Sequence, residues 1–479
     1  MTTRAAIGDT LAATAGDHLR RILLTGGAVV SMDPEIGDLE TGDVLIEGSK
    51  IIAVGEDLRA QGAADGAIVI DTSSAVVCPG FVDTHRHAWE TQLRRLMPDV
   101  NDLGEYVMST LSGIAPLYEP ADIYTGTKLA ALTALDSGVT CMLDFSHNSR
   151  TGEHSDAAIE ALAATRIRGV HASMGPHFGP WERQWPADLK RLREQYFSSD
   201  DQLLTLRMAA LATDEVAGPD LAYGPELAQV AHELNLNVSI DAVFGHASSQ
   251  AIVDWQRIGI LDDRMTLIHC TGLSEDAWTA LGAAGVTVSL APSSDAQIGL
   301  ESAIPAVDES LRAGIRPGLS VDVEVALASD MFTQMRTLLS IQRMLAVNSV
   351  YGTTATPNRI STRDVLDFAT LQGARSNGLD SVTGSLTPGK QADLLIIAAN
   401  DVNNMPLNDA IGTIVLGAEP HNVEAVFVAG QAVKWDRALV GVDVTALSKE
   451  VTASRDRILA AQCTKVGASL PVSGHGSDQ

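Results

Sequence analysis

The sequence predicts an α/β fold: a (β/α)8 barrel joined to a small β domain assembled from both chain ends. Three observations point there. Eight short apolar runs recur between residues 79 and 322, with helical segments between several of them. Both ends of the chain read instead as short strands and turns. And 479 residues are too many for one ordinary domain but suit a large barrel with a smaller partner.

In chain order, residues 21–78 open the β domain. Asp43-Val44-Leu45-Ile46 and Lys50-Ile51-Ile52-Ala53-Val54 flank Glu47-Gly48-Ser49, which reads as a hairpin. Ile68–Asp71 and Val76-Val77 continue in the same style. The run before His85 is the first barrel strand. The others are Val139–Asp144, Arg168–Ser173, Leu203–Ala210, Asn237–Val243, Met265–Cys270, Thr287–Ala291 and Pro317–Asp322. Ala-rich segments with helical periodicity lie between several of them: Ala121–Leu135, His154–Ala164, Pro225–Leu234 and Ser274–Ala283. After about residue 380 the β texture returns, at Ala392–Ile397 and Val423–Val428. The expected division is 1–78 for the first part of the β domain, 79–380 for the barrel, and 381–479 for the second part and a tail. The last fifteen or so residues, rich in Gly and Ser, are expected to fray.

Composition narrows the function. Apolar residues make up 45% of the chain and aromatic residues only 4%, so the core must be mostly aliphatic. A formal charge of −27, with no long acidic run behind it, disfavours nucleic acid, whose phosphates need clustered Lys and Arg. The four cysteines have no CxxC spacing, which suits reduced thiols. No signal peptide is evident, because Gly26-Gly27 and Asp33 interrupt the apolar run after Arg20-Arg21. No stretch approaches the roughly 18 apolar residues of a membrane span. A cytoplasmic protein acting on a small molecule is the expectation.

In a barrel, chemistry sits at the C-terminal ends of the strands. His85 and His87 follow the first strand; at i and i+2 their rings share a face and can reach one ion. Asp144 and His147 follow the second strand, His171 and His177 lie in and after the third, and Asp241 lies in the fifth. His269 ends the sixth and Asp322 the eighth. Taken singly, His147, His154, His171, His177 and His246 read as packed or hydrogen-bonded histidines. A carboxylate such as Asp322 beside a divalent metal can take a proton from water whose pKa the metal lowers to about 7.

These motifs, in this order, resemble the amidohydrolase superfamily, in particular its cytosine deaminase, chlorohydrolase and imidazolonepropionase-like branch. The resemblance rests on Pro79-Gly80-Phe81-Val82-Asp83-Thr84-His85-x-His87, His269-Cys270-Thr271 and Gly318-x-x-x-Asp322. It extends to Ala369-Thr370-x-x-Gly373-Ala374, Gly384–Leu394 and Val423–Gly430, and so runs from about residue 22 to 440. It implies a distorted (β/α)8 TIM barrel with a flanking β-sandwich. It also implies one divalent metal ion, zinc ahead of iron or manganese, and by analogy a homo-oligomer. Carried over, His85, His87 and Asp322 are metal ligands, and His269 binds or polarises substrate beside the metal.

The fifth strand departs from the pattern. Where family deaminases carry His-x-x-Glu, this chain has Asp241 and Phe244. Asp241 can bind metal through oxygen; alternatively His246 or His269 completes the set, or the metal is lost. Phe244 cannot protonate a ring nitrogen. The expected function is therefore metal-dependent hydrolysis of a non-peptide C–N bond in a small, largely neutral amide, urea, carbamate or heterocycle. Asp322 would be the base and His269 the polariser. The alternatives are an aminohydrolase or dechlorinase of an aromatic heterocycle, using His147 or Glu90 as acid, and a degenerate barrel that only binds. Trp89, Glu90, His147, Phe178 and Phe244 are the candidate substrate contacts. Phe145, Met174, Trp181, Trp185, Gln92 and Arg94 lie near the same strand ends.

Overall fold

A computed structural model describes residues 3–199 and 201–469. Strands β1 (Arg21–Val30), β2 (Asp38–Glu47), β3 (Lys50–Gly55), β4 (Ala67–Asp71) and β5 (Ala75–Pro79) come first. The barrel strands are β6 (Phe81–Arg86), β7 (Val139–Ser146), β8 (Arg168–Ser173), β9 (Leu204–Leu211), β10 (Val238–Ala242), β11 (Met265–His269), β12 (Thr287–Leu290) and β13 (Gly318–Leu319). After them come β14 (Leu394–Ala398), β15 (Val423–Val428), β16 (Gln431–Trp435) and β17 (Ala438–Leu439).

β6 to β13 form one parallel sheet in chain order. Its edges meet where the Asp322 amide donates to the His85 carbonyl at 2.9 Å, with Arg86 and Asp322 bridged in parallel. The flanking β domain is one continuous nine-stranded sheet, in which β14 from the C-terminal end pairs with β5 from the N-terminal end. It packs around a core of its own, with Ile22, Val44, Ile46, Leu394 and Phe427 buried.

The eight barrel strands lie where the apolar runs are. The eighth is the shortest: regular pairing covers only Gly318–Leu319 within the expected Pro317–Asp322. Asp322 has φ +67, which removes it from extended geometry. The predicted helices appear as Pro120–Asp136, Gly152–Thr165, Pro225–Glu233 and Glu275–Ala284. Two of the helices that carried no sequence expectation lie at the chain ends. Arg4–Ala13 buries Ile7 and Leu11 against the outer sheet. Val444–Ser469 covers five residues of the expected tail, whose remaining positions lie outside the described residues.

This last helix docks behind the mouth of the barrel. Ile458 is fully buried in a cluster with Trp89, Tyr106 and Leu111, and Arg457 pairs with Asp122. Gly126 lets the helix Pro120–Asp136 lie directly on the short 3-10 helix Ala88–Leu93: a Cβ there would sit 2.2 Å from the Trp89 carbonyl oxygen. Among the described residues no helix is long and apolar enough to cross a membrane.

Candidate active site

β6 does not run evenly into its last residues. A register irregularity between Asp83 and Arg86 re-aims the strand where His85 and His87 leave it. Between the two imidazoles, Arg86 points to the opposite face and is fully buried. Its Nε donates to Asp83 at 2.8 Å, and its terminal nitrogens donate to Glu324 Oε1 at 2.9 Å and to the Ser329 carbonyl at 3.2 Å. Arg94 also pairs with Glu324. This ion cluster holds the loop after β13 against the end of β6, and so sets Asp322 opposite the histidines. A buried pair broken from one side leaves an uncompensated charge. Glu324→Gln is therefore expected to cost about 3–5 kcal/mol of stability, read from the denaturant midpoint. A loss below about 1 kcal/mol would show that the cluster does not hold the loop.

Asp322 Oδ1 lies 3.1 Å from His85 Nε2 and 3.0 Å from His87 Nε2. His85, His269 and Asp322 each present a ligand atom within 4.8 Å of the others. Asp241 Oδ1 lies 3.9 Å from His269 Nε2, and Asp322 Oδ2 lies 3.8 Å from it. His269, Cys270 and Asp322 all have positive φ, at +65, +57 and +67. Such strain in non-glycine residues persists only where the surroundings impose it.

The seventh strand supplies two groups absent from the sequence expectation. The helix Pro292–Gln297 places Asp295 Oδ1 2.7 Å from His269 Nδ1 and brings the Ser294 hydroxyl to Asp322. The available signal was Pro292-Ser293-Ser294-Asp295 directly after an apolar strand. Burial opposes a charge on His269, but Asp295, with Asp322 and Asp241 nearby, raises it to about 10. Burial likewise opposes ionisation of Asp322, yet the imidazoles of His85 and His87 beside it hold its carboxyl well below the usual range.

The donor set fits a divalent cation. His85 Nε2, Asp322 Oδ1 and Asp241 Oδ1 are buried without hydrogen-bond partners. Three carboxylates (Asp241, Asp295 and Asp322) crowd one imidazole, a surplus of buried negative charge that needs offsetting. Nitrogen and carboxylate donors suit zinc, iron or manganese.

The cluster opens into a cavity of about 640 Å3, counting its mouth. Leu103, Leu111, Leu211, Val243, Phe244 and Ile298 supply apolar wall, whereas His87, Tyr106, His147, His177, Thr213 and Ser294 supply polar groups. No Lys or Arg is among the described lining residues.

The structure corrects several expected positions. His246 is exposed in a separate surface groove, so it cannot complete the ligand set. Trp89 does not line the cavity; it is buried behind His147, to which its Nε1 donates. Glu90 is also set back, accepting from the Tyr106 hydroxyl at 3.1 Å. Phe178 stands off the wall beside His177, with ring centroids 6.2 Å apart. Trp89 and Glu90 turn away because the short 3-10 helix Ala88–Leu93 packs into the core. His154 is held by Thr151 and the Tyr118 carbonyl, and His171 lies buried 3.4 Å from Asp144.

Burial pushes the Glu90 carboxyl up to about 8 from 4.5. An acid whose folded pKa is raised stabilises the fold least above that value: below 4.5 both states hold the proton, and between 4.5 and 8 only the folded state does. In metal-free protein, Glu90→Gln is thus expected to gain stability over the parent as pH rises from about 5 to about 8. A pH-independent difference in Tm would contradict this.

Residues 76–433 match the profile of the amidohydrolase family. The chain is 26% identical over 451 residues to a 5-methylthioadenosine/S-adenosylhomocysteine deaminase of Syntrophobacter fumaroxidans, covering 91% of this chain and 98% of that one. It is 26% identical over 433 residues to a 5'-deoxyadenosine deaminase of Methanosarcina barkeri, covering 88% and 94%. Among solved structures, a zinc-bound adenosine deaminase of Xanthomonas campestris superposes with a TM-score of 0.78 at 23% identity, covering 92% and 99%. An atrazine chlorohydrolase variant of Arthrobacter aurescens, bound to zinc and atraton, gives 0.77 at 21%, covering 90% and 99%; these two show the fold. With the family profile spanning the barrel and its return into the outer sheet, the chain belongs to the amidohydrolase family and is a metal-dependent hydrolase of C–N bonds other than peptide bonds.

Proposed function

We propose that this chain hydrolyses a C–N bond in a small, uncharged amide, urea, carbamate or heterocycle at the mouth of the barrel. The observation that carries this reading is the meeting of His85, His87 and Asp322 at the base of a largely apolar cavity lined by no Lys or Arg among the described residues. An anionic substrate would find no Lys or Arg side chain to pair with there. We assign one divalent ion, zinc in first place and iron or manganese as alternatives, to His85, His87 and Asp322, with His269 or Asp241 completing the set. When bound, that ion supplies Lewis-acid activation of water.

The protein groups do the rest. Asp322, held ionised, accepts a proton and passes it to the leaving nitrogen. With Asp241 completing the metal set, His269, its Nδ1 anchored on Asp295, turns Nε2 toward the cavity and donates to the oxygen on which negative charge develops. Phe244, on the wall, excludes water near the reacting carbon and takes no part in proton transfer.

A second reading has specific support. The deaminases named above align with nearly the whole chain, which favours aminohydrolysis of a heterocycle such as an adenosine derivative. Metal-replete protein should be assayed on amides, ureas and carbamates beside adenosine, 5'-deoxyadenosine and methylthioadenosine. Amine or ammonia release from the first group alone supports the primary reading, and ammonia from the nucleosides alone supports the second. No turnover of any compound would sink both.

A further inference from the structure

One wall of the cavity is held by a chain of three aromatic side chains. Trp89 Nε1 lies 3.1 Å from His147 Nε2, and His147 Nδ1 lies 3.1 Å from His177 Nδ1. The rings of His147 and His177 meet edge to face at 4.8 Å. An indole nitrogen can only donate. His147 Nε2 must therefore be a bare acceptor, which leaves the proton of a neutral imidazole on Nδ1. That proton goes to His177 Nδ1, so the one proton of His177 sits on Nε2. The reverse polarity would require His147 to carry no proton at all.

Neither ring can take a second proton while the chain is intact. An N–H at His147 Nε2 would face the indole N–H, and one at His177 Nδ1 would face the N–H of His147. Burial acts the same way on His177, pushing it down to about 3. His177 is half-buried and lines the cavity. No described residue accepts from its Nε2, and that atom is not among the buried unpaired ones, so it faces open space.

We propose that His177 is a specificity-determining residue: a permanently uncharged N–H donor, oriented by Trp89 through His147, that reads an uncharged hydrogen-bond acceptor on the substrate. A ring nitrogen or a carbonyl oxygen satisfies it. An ammonium or a second N–H pointing at the same spot meets a donor and is turned away. This rests on the cavity being the substrate site, and it makes Trp89 and His147 positioning residues acting through His177.

The test combines a spectroscopic signature with binding. Side-chain nitrogen NMR on zinc-loaded, histidine-labelled protein should show His177 as the neutral Nε2–H form from about pH 5.5 to about pH 8.5, where a free histidine would titrate. Trp89→Phe, which keeps the ring but removes the donor, should release that tautomer. Adenosine and its 1-, 3- and 7-deaza analogues, each exchanging one ring nitrogen for C–H, serve as probes. One analogue should bind about tenfold more weakly than adenosine, the worth of one hydrogen bond. His177→Leu should erase that difference and raise KM more than it lowers kcat, and His177→Gln, which keeps an N–H donor, should restore it. A charged or Nδ1–H His177 would overturn the proposal. So would identical binding of all four nucleosides, or failure of adenosine to move the His177 signal. The NMR readout needs no turnover, so an inert protein with the expected tautomer and adenosine contact would sink the hydrolytic reading and leave this one standing.

Discussion

Asp322→Asn is expected to lower kcat by about a hundredfold to ten-thousandfold, the range for loss of a positioned general base, while the fold survives. The amide is nearly isosteric with the carboxylate and can still accept from the Ser294 hydroxyl. It cannot ionise, and it leaves His85 and His87 without the negative charge that now lies about one hydrogen-bond length from both. Unchanged circular dichroism and a Tm close to the parent's would separate a catalytic from a structural loss. Near-normal turnover with intact folding would remove Asp322 from the chemistry. Asp295→Asn should act more mildly: it keeps a hydrogen-bond acceptor beside His269 Nδ1 but withdraws the charge that raises that imidazole.

Stripping the metal with a chelator should have the second large effect. Activity is expected to fall at least about a hundredfold, because without Lewis-acid help water stays a poor nucleophile at neutral pH. It should return on adding about one equivalent of zinc per chain. Thermal stability should move with it, since an ion that binds only the folded state raises Tm in a concentration-dependent way. Asp241→Asn then asks which group completes the donor set: lost zinc affinity would make Asp241 a ligand, and retained affinity would point to His269. Full activity in protein carrying less than about a tenth of an equivalent of metal would overturn the metal assignment.

Much of this site is legible in the amino-acid sequence, and the reasons differ from residue to residue. His85 and His87 can be paired because the two-residue repeat of a strand is local, so any strand places them on one face. His269 and Asp322 can be placed because each ends an apolar run, and strand ends are where a barrel exposes polar groups. Phe244 can be placed on the wall by the same reasoning, and it lines the cavity. Trp89 and Glu90 cannot be placed in this way. The residues after His87 turn into a 3-10 helix under the helix Pro120–Asp136, and no periodicity reveals which side of so short a turn faces the ligand.

The sequence by itself determined the alternation of strands and helices, the eight-strand count, and the fact that polar side chains gather at one end of the barrel. These follow from repeats of two and 3.6 residues acting within a single element. That Asp322 meets the two histidines was expected from the family resemblance, whereas only the tertiary structure decided that Asp295 anchors His269 and that Trp89 sets the tautomer of His177 through His147. Each of those meetings joins groups from separate elements, and two distant strands come together only when the barrel closes.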